Sequence, residues 1–317
     1  MIHPIFTNKE NFIGAKQRII GYTHKTPIVT CESINRLAGC EIFFKLENLQ
    51  KAGAFKSRGA SNAVFTLLEN GFKGDVATHS SGNHAQALSR VARFAGIEAR
   101  VVMPENSVKS KIDAAREYGA DITFCIPTLE ARETTLAQVI EKTGAREIHP
   151  YDNVDIILGQ STCTMEILEE IEPDIIVAPV GGGGLLSGTA LAAVHFGKSV
   201  RVFAAEPEGA SDAWQSFQKK QFVPSERPNT IADGLLTSLG KLTFPVLIEH
   251  VSDVFLASET QIIEAMRTMW QRAKILAEPS SAVPLAVVLR NHAIFAGKKV
   301  AIVVSGGNID IDNLPWK

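Results

Sequence analysis

PDIIVAPVGGGGLLSGTALAAVHFG, residues 173–197, sets a short apolar run against four consecutive glycines and then a segment of small and apolar residues. The run IIVAPV is continuous rather than alternating, as expected of a strand buried on both faces. The glycines let successive backbone N–H groups turn toward one anion, and the helix that follows adds partial positive charge at its N-terminus. The order strand, glycine loop, helix reads as a phosphate cradle, with a tight turn as the plainer alternative. It does not make a dinucleotide fingerprint, because Leu186 or Ser187 occupies the third glycine position. HFGKS, residues 195–199, imitates the end of a P-loop, but Ala192 stands where the first glycine belongs and a strand follows it.

The same rhythm runs outward in both directions. Upstream, GDVATHSS precedes NHAQALSRVARFAG, ARVVMP precedes VKSKIDAAREYG, and DITFCI precedes TLEARETTLAQVIEKTG. Each first member reads as a strand buried on both faces, and each second member as a helix closed by glycine: Gly96, Gly119 and Gly144. Three such units in succession imply a parallel sheet covered by helices. Downstream, SVRVFAAEPE leads into a helix around SDAWQSFQKK. EPSSAVPLAVVLRNHAIFAG reads as one helix, and KKVAIVVSGGN as a strand ending in glycines. QFVPSERPNT, residues 221–230, reads as a surface loop.

A chain of 317 residues exceeds what one hydrophobic core comfortably serves, so two domains are expected. A formal net charge of −2 argues against a nucleic-acid partner or a basic membrane-binding patch. No apolar run approaches the roughly 20 residues that span a bilayer. MIHPIFTNKENF does not read as a signal peptide. Cys31, Cys40, Cys125 and Cys163 lack disulfide-framework or zinc-site spacing, and a reduced, cytoplasmic setting is expected.

Parallel sheets bind ligands beyond the carboxyl ends of their strands. Four strand ends here carry suitable chemistry: THSSGNH, APVGGGG, AAEP and VSGGN. Ser80, Ser81, Gly82, Asn83 and His84 exceed what a helix cap needs. Ser305 can donate to a neutral ring nitrogen. Glu206 and Asp212 read either as a cap plus an isolated carboxylate or as part of a hard-cation site. In GAFKSRGAS, residues 53–61, Lys56 is either an exposed lysine in a helix first turn or a lysine kept free to bond a carbonyl. One ligand unites these pieces: pyridoxal phosphate has a phosphate for the glycines, an aldehyde for Lys56 and a ring nitrogen for Ser305.

Through these residues the chain resembles the fold-type-II pyridoxal-phosphate enzymes, within them the serine racemase and serine/threonine dehydratase branch. KLENLQKAGAFKSRGA, HSSGNHAQAL, PVGGGGLLSG, AAEPEGASD, TIADGL, EPSSA and VSGGN carry the resemblance in the family order. It implies an α/β fold, tryptophan synthase β-like, with two domains of parallel-rich twisted sheets flanked by helices. Residues 1–74 and 151–317 would form the large cofactor-binding domain and 75–150 the small one.

The resemblance implies that Lys56 bonds the cofactor, Phe55 and Asn83 flank its ring with Asn83 near the 3-hydroxyl, and Gly181, Gly182, Gly183 and Gly184 hold the phosphate. Ser305 would meet the ring nitrogen and leave it neutral, which favours prompt loss of a β-leaving group. Ser80 to His84 would receive the substrate carboxylate. Glu206, the Ala210 carbonyl and Asp212 match the divalent-cation site of serine racemases, for magnesium, calcium or manganese. Ser81 would stand opposite Lys56 as a second base, which makes racemisation available.

The activity implied is dehydration of L-serine or L-threonine to a 2-oxo acid and ammonia. Alternatives are an amino-acid racemase with elimination as a side reaction, or a 3-hydroxyaspartate dehydratase in which Arg132 holds the second carboxylate; for Arg132 a solvated helix charge is the plainer account. A non-catalytic amino-acid sensor is the rival of another class, and Lys56 argues against it. Tyr151 stands where the vertebrate racemase pattern has asparagine, and Cys31 and Glu32 replace small hydroxyl residues at its nucleotide-binding interface. Lys51, Gln86 and Tyr118 are compatible with ATP activation, which stays open. A homodimer is expected from the family. The sequence ends soon after VSGGN, so no isoleucine-responsive regulatory domain is expected.

Overall fold

The computed structural model describes residues 1–107 and 109–316. Among the described residues ten strands form two sheets. The larger contains β1 (Ile28–Val29), β2 (Glu41–Leu46), β7 (Ile175–Pro179), β8 (Arg201–Pro207), β9 (Asp253–Ala257) and β10 (Lys299–Val304). Its order is β1-β2-β10-β7-β8-β9, parallel throughout except for the β1–β2 pair. The smaller is wholly parallel, in the order β5 (Ala120–Cys125), β4 (Ala99–Pro104), β3 (Val76–His79), β6 (Arg146–Glu147).

Side-chain alternation explains how the larger sheet is covered on both faces. Ile175, Val177, Phe203, Ala205, Val300 and Ile302 enter one core, while Ile176, Ala178, Val202, Ala204, Ala301 and Val303 enter the other. The helices are, in chain order, α1 (Lys9–Ile19), α2 (Glu32–Ala38), α3 (Lys56–Glu69), α4 (Asn83–Ala95), α5 (Lys109–Glu117), α6 (Leu129–Thr143), α7 (Val154–Glu170), α8 (Gly184–Phe196), α9 (Asp212–Lys219), α10 (Thr243–His250), α11 (Glu259–Thr268), α12 (Pro279–Arg290) and α13 (His292–Phe295), with α3 to α6 packing into the cores of the smaller sheet instead. β7 is buried along its whole length, as its unbroken apolar run requires. The glycines after α4 and α6, Gly96 and Gly144, adopt the left-handed cap conformation. Among the described residues the expected helix over VKSKIDAAREYG begins at Lys109, and Val108 lies outside them.

Two expectations need correction. β5 is an edge strand with mostly exposed or half-buried residues, not a strand buried on both faces; Asp121 and Thr123 already carry the polar side chains of an edge. EPSSAVPLAVVLRNHAIFAG is two helices. Asn291 breaks it at φ −111°, ψ 47°, its side-chain Nδ2 donating back to the Val287 carbonyl at 2.8 Å.

The first turns of α3 are fastened by a buried ionic cluster. Arg58 donates to both Glu47 oxygens at 2.7 and 2.8 Å and to both Glu166 oxygens at 2.7 and 2.8 Å. Lys45 reaches Glu166 at 2.6 Å. Two cations and two anions thus neutralise one another away from water. That arrangement is tolerable only because the guanidinium donors and carboxylate oxygens are paired.

Candidate active site

Lys56 is the first residue of α3. Its loop is stitched to the end of β10: Ala54 bridges to Gly306, the Phe55 N–H donates to the Ser305 carbonyl at 2.9 Å, and the Gly307 N–H donates to the Gly53 carbonyl at 3.0 Å. Ala52 and Gly53 both have positive φ, 53° and 68°. At Gly53 a side chain would also strike the Asn308 amide, since a Cβ would lie 2.3 Å from its Oδ1. Glycine is therefore required, and the alanine beside it stores strain of about 1–3 kcal/mol.

The half-buried Lys56 ammonium donates to the Pro150 carbonyl at 2.8 Å and stands 5.1 Å from the Phe55 ring centroid. Burial lowers its pKa to about 8 against the opposing charge of Glu278. An amine in that range is readily available as nucleophile and base.

The glycine loop meets the features of a cofactor cradle. Gly181 to Gly184 are buried and open α8, whose first amides lack intrahelical acceptors. Gly183 takes φ 85°, and a Cβ on Gly182 would lie 2.3 Å from the Tyr151 ring. Tyr151 therefore forms a wall of the cradle, and burial pushes its phenol up to about 12, keeping it protonated. Thr243 closes the cradle from behind by donating to the Gly182 carbonyl at 2.8 Å. Ser305 is buried, with its hydroxyl 3.0 Å from that of Ser281.

Ser80 to His84 form the turn from β3 into α4. The Gly82 N–H donates to the Ser80 hydroxyl at 3.4 Å, and Ser81 is half-buried. His84 is directed inward: it is buried, its Nε2 lies 3.0 Å from the Ile148 carbonyl, and desolvation lowers its pKa to about 3. Asn83 donates its amide to Glu278 at 2.9 and 3.2 Å and accepts from Asn308 at 2.9 Å. Burial and the Asp233 charge lift Glu278 to about 7.

Neither Glu278 nor Asn308 stands out in the sequence, although EPSSA and VSGGN contain them. The signal for Glu278 is present in Pro279, the first residue of α12, which marks Glu278 as the position before a helix. Such a position ordinarily signifies no more than a cap.

Arg132 lies in the first turn of α6, half-buried, with its Nε buried and unpaired. Its charge depresses the His79 pKa, after desolvation. His79 contacts His149 edge-on at 6.0 Å, and the Lys56 charge bears on both His149 and His84. His79, His84 and His149 therefore form a group that feels the charge of Arg132 at His79 and of Lys56 at the other two.

Glu206, on β8, accepts the Ala213 and Trp214 N–H groups at 2.8 Å each. Burial, then the charge of Asp212, raises it to about 9; burial raises Asp212 to about 6. Asp212 Oδ2 is buried without a partner. Two crowded carboxylates with an unpaired oxygen fit a hard cation. No group of three or more histidine, cysteine or acidic residues placed to hold a metal ion occurs among the described residues, so carbonyls such as that of the buried Ala210 and water would complete the set. Beside the site, Gln86, Lys111, Asp233 and Asn308 line a cavity of about 540 Å³, where Lys111 pairs with Asp233. No helix among the described residues is long and apolar enough to cross a membrane.

The family described as "Pyridoxal-phosphate dependent enzyme" matches residues 19–306. Over 308 residues the chain is 46% identical to the β-hydroxyaspartate dehydratase of Paracoccus denitrificans, covering 97% of this chain and 98% of that protein. The crystal structure of serine racemase from Dictyostelium discoideum superimposes with a TM-score of 0.91 at 47% identity, covering 95% of this chain and 98% of the other. That of the threonine deaminase from T.th. gives 0.91 at 39% identity, covering 96% and 99%. A half-buried lysine beside a glycine cradle and this likeness along nearly the whole chain lead to one conclusion: the protein belongs to the pyridoxal-phosphate-dependent enzymes of fold type II, in the branch that holds the serine racemases and hydroxy-amino-acid dehydratases.

Proposed function

We propose that the chain dehydrates a β-hydroxy-α-amino acid to a 2-oxo acid and ammonia, with 3-hydroxyaspartate as its preferred substrate. The observation that carries the substrate is the buried, unpaired Nε of Arg132, whose charge reaches the histidine group at His79. A guanidinium with an unused buried donor suits a second carboxylate, which it can grip through two parallel bonds. The similarity to a β-hydroxyaspartate dehydratase supports the same substrate.

Pyridoxal phosphate, when bound, supplies the sink for the electron pair left at Cα. Lys56 would hold its aldehyde, Gly181 to Gly184 its phosphate, and Ser305 its ring nitrogen. The chain's own work is placement and proton movement. The turn Ser80–Asn83 receives the α-carboxylate and Arg132 the β-carboxylate. Lys56 Nζ, set free once the substrate amine takes its place at the aldehyde, accepts the α-proton. The hydroxyl then departs from Cβ as water, taking the proton that Lys56 has received. A cation held by Glu206, Ala210 and Asp212 would anchor the segment that reaches the cradle through Thr243.

The likeness to serine racemase and threonine deaminase supports a second reading, in which L-serine or L-threonine is the substrate and Ser81 returns a proton to the opposite face.

The test is a substrate panel with chiral product analysis. The holoenzyme is expected to form 2-oxo acid fastest from 3-hydroxyaspartate, and Lys56→Ala to form none. Arg132→Gln is expected to lose about 100-fold in kcat/KM on 3-hydroxyaspartate and little on L-serine, matching about 3 kcal/mol for a charge-assisted bond. Equal losses on both substrates would remove Arg132 from specificity; mostly D-serine from L-serine would make the enzyme a racemase.

A further inference from the structure

Two amide side chains at the site have their orientations dictated from outside. The Ala52 carbonyl can only accept, and it takes the Asn308 amide nitrogen at 2.8 Å. The same nitrogen is 2.9 Å from Asn83 Oδ1, so that oxygen is committed as an acceptor. The Asn83 nitrogen must then face Glu278, where Oε1 receives it at 2.9 Å. Glu278 Oε2 accepts the Asn308 backbone N–H at 3.2 Å, which fixes the carboxyl group in turn. The space for it exists because residue 306 is glycine: a Cβ there would lie 2.7 Å from Glu278 Oε1. The chain of bonds runs from a strained backbone turn, through two amides, to one carboxyl group, with each link pointing one way.

We infer that Glu278 is a positioning residue whose task is to hold the Asn83 side chain with its N–H side, never its oxygen, toward the cofactor ring. A fixed donor there stabilises negative charge on the ring substituent that it meets, and thereby the charge-separated, visible-absorbing form of the Lys56-bound cofactor. Glu278 itself touches neither the substrate nor the reacting carbon in this role. The inference rests on Lys56 holding the cofactor and is independent of which hydroxy amino acid is turned over.

Glu278→Gln tests it. Glutamine can satisfy the Asn308 N–H with its oxygen, but then presents its own N–H₂ to the Asn83 nitrogen, donor against donor. The expected result is loss of the visible band in favour of the near-ultraviolet one, with about tenfold weaker retention of pyridoxal phosphate on dialysis.

The double variant Glu278→Gln with Asn83→Asp separates positioning from packing. It restores a donor–acceptor pair between the two side chains but leaves an acceptor facing the ring. Thermal stability should recover while the visible band stays depleted. An unchanged spectrum and unchanged retention in Glu278→Gln would overturn the proposal, as would recovery of the visible band in the double variant. Should Glu278→Gln not fold, Glu278→Asp keeps the charge but draws the acceptor back from the Asn83 nitrogen. It should shift the spectrum in the same direction, and an unaltered spectrum there would likewise overturn the proposal. Failure of the substrate panel with these spectra intact would indict the substrate and spare this assignment.

Discussion

At the scale of single residues, the site separates groups held neutral from groups held charged, and burial does most of the sorting. Glu206 and Asp212 give the clearest consequence. Their ordinary values are 4.5 and 3.8, and in the folded chain they rise to about 9 and about 6. The folded state therefore keeps protons that the unfolded chain has released, and without a cation stability falls as pH rises through this window. A divalent cation bound between them would replace those protons, and its affinity would then grow over the same range. The melting temperature of the cation-free protein is expected to be lower at about pH 9 than at about pH 6, and the rise on adding magnesium larger at the higher pH. Magnesium responses of equal size at both, or an undiminished response in Glu206→Gln, would remove the carboxylates from cation binding. At this scale the sequence was legible where a residue type is unusual for its setting, as with Lys56 after Phe55. It was silent on Glu278, because a carboxylate before a helix has an ordinary use and its partners lie far away in the chain.

At the scale of elements, local chemistry declared itself well wherever glycine ended something. The turns after α4 and α6 and the cradle before α8 could be read because only glycine takes those backbone conformations easily. Tertiary setting was less legible. β5 reads like its neighbours β3 and β4 although Asp121 and Thr123 are polar, and the sheet order places it at an edge. The break at Asn291 depends on a side chain turning back on its own helix, which composition does not reveal. The role of Arg58 was equally hidden: nothing in KSRGAS announces that its guanidinium will be enclosed by Glu47 and Glu166. Arg58→Met should strand two buried carboxylates and cost about 3–5 kcal/mol, read as a lower urea midpoint. A midpoint equal to that of the parent would mean that Lys45 alone can neutralise them.

At the scale of the whole molecule, we take residues 75–150 as a smaller domain facing the larger one, a reading that the separate four-stranded sheet supports. Lys111 of α5 reaches Asp233, in the segment following the surface loop, and so clasps the two sides of the cleft. Both side chains are partly solvated, so the clasp should weaken with salt. Lys111→Ala is expected to speed amide hydrogen exchange in residues 109–117 and 231–235 together; acceleration on one side alone would mean that the pair does not join them. The helix that carries Lys56 has a different place in this geometry. The loop that leads into its first turn is pinned just past the end of β10, whereas Ala60, Ala63 and Val64 pack into the core beneath β3 and α4. One rod is thus shared by both bodies. A lever travels least at its fulcrum: if the smaller body rocks to admit or release a ligand, the amine at the pinned end of that rod keeps its station while the far wall of the cleft swings.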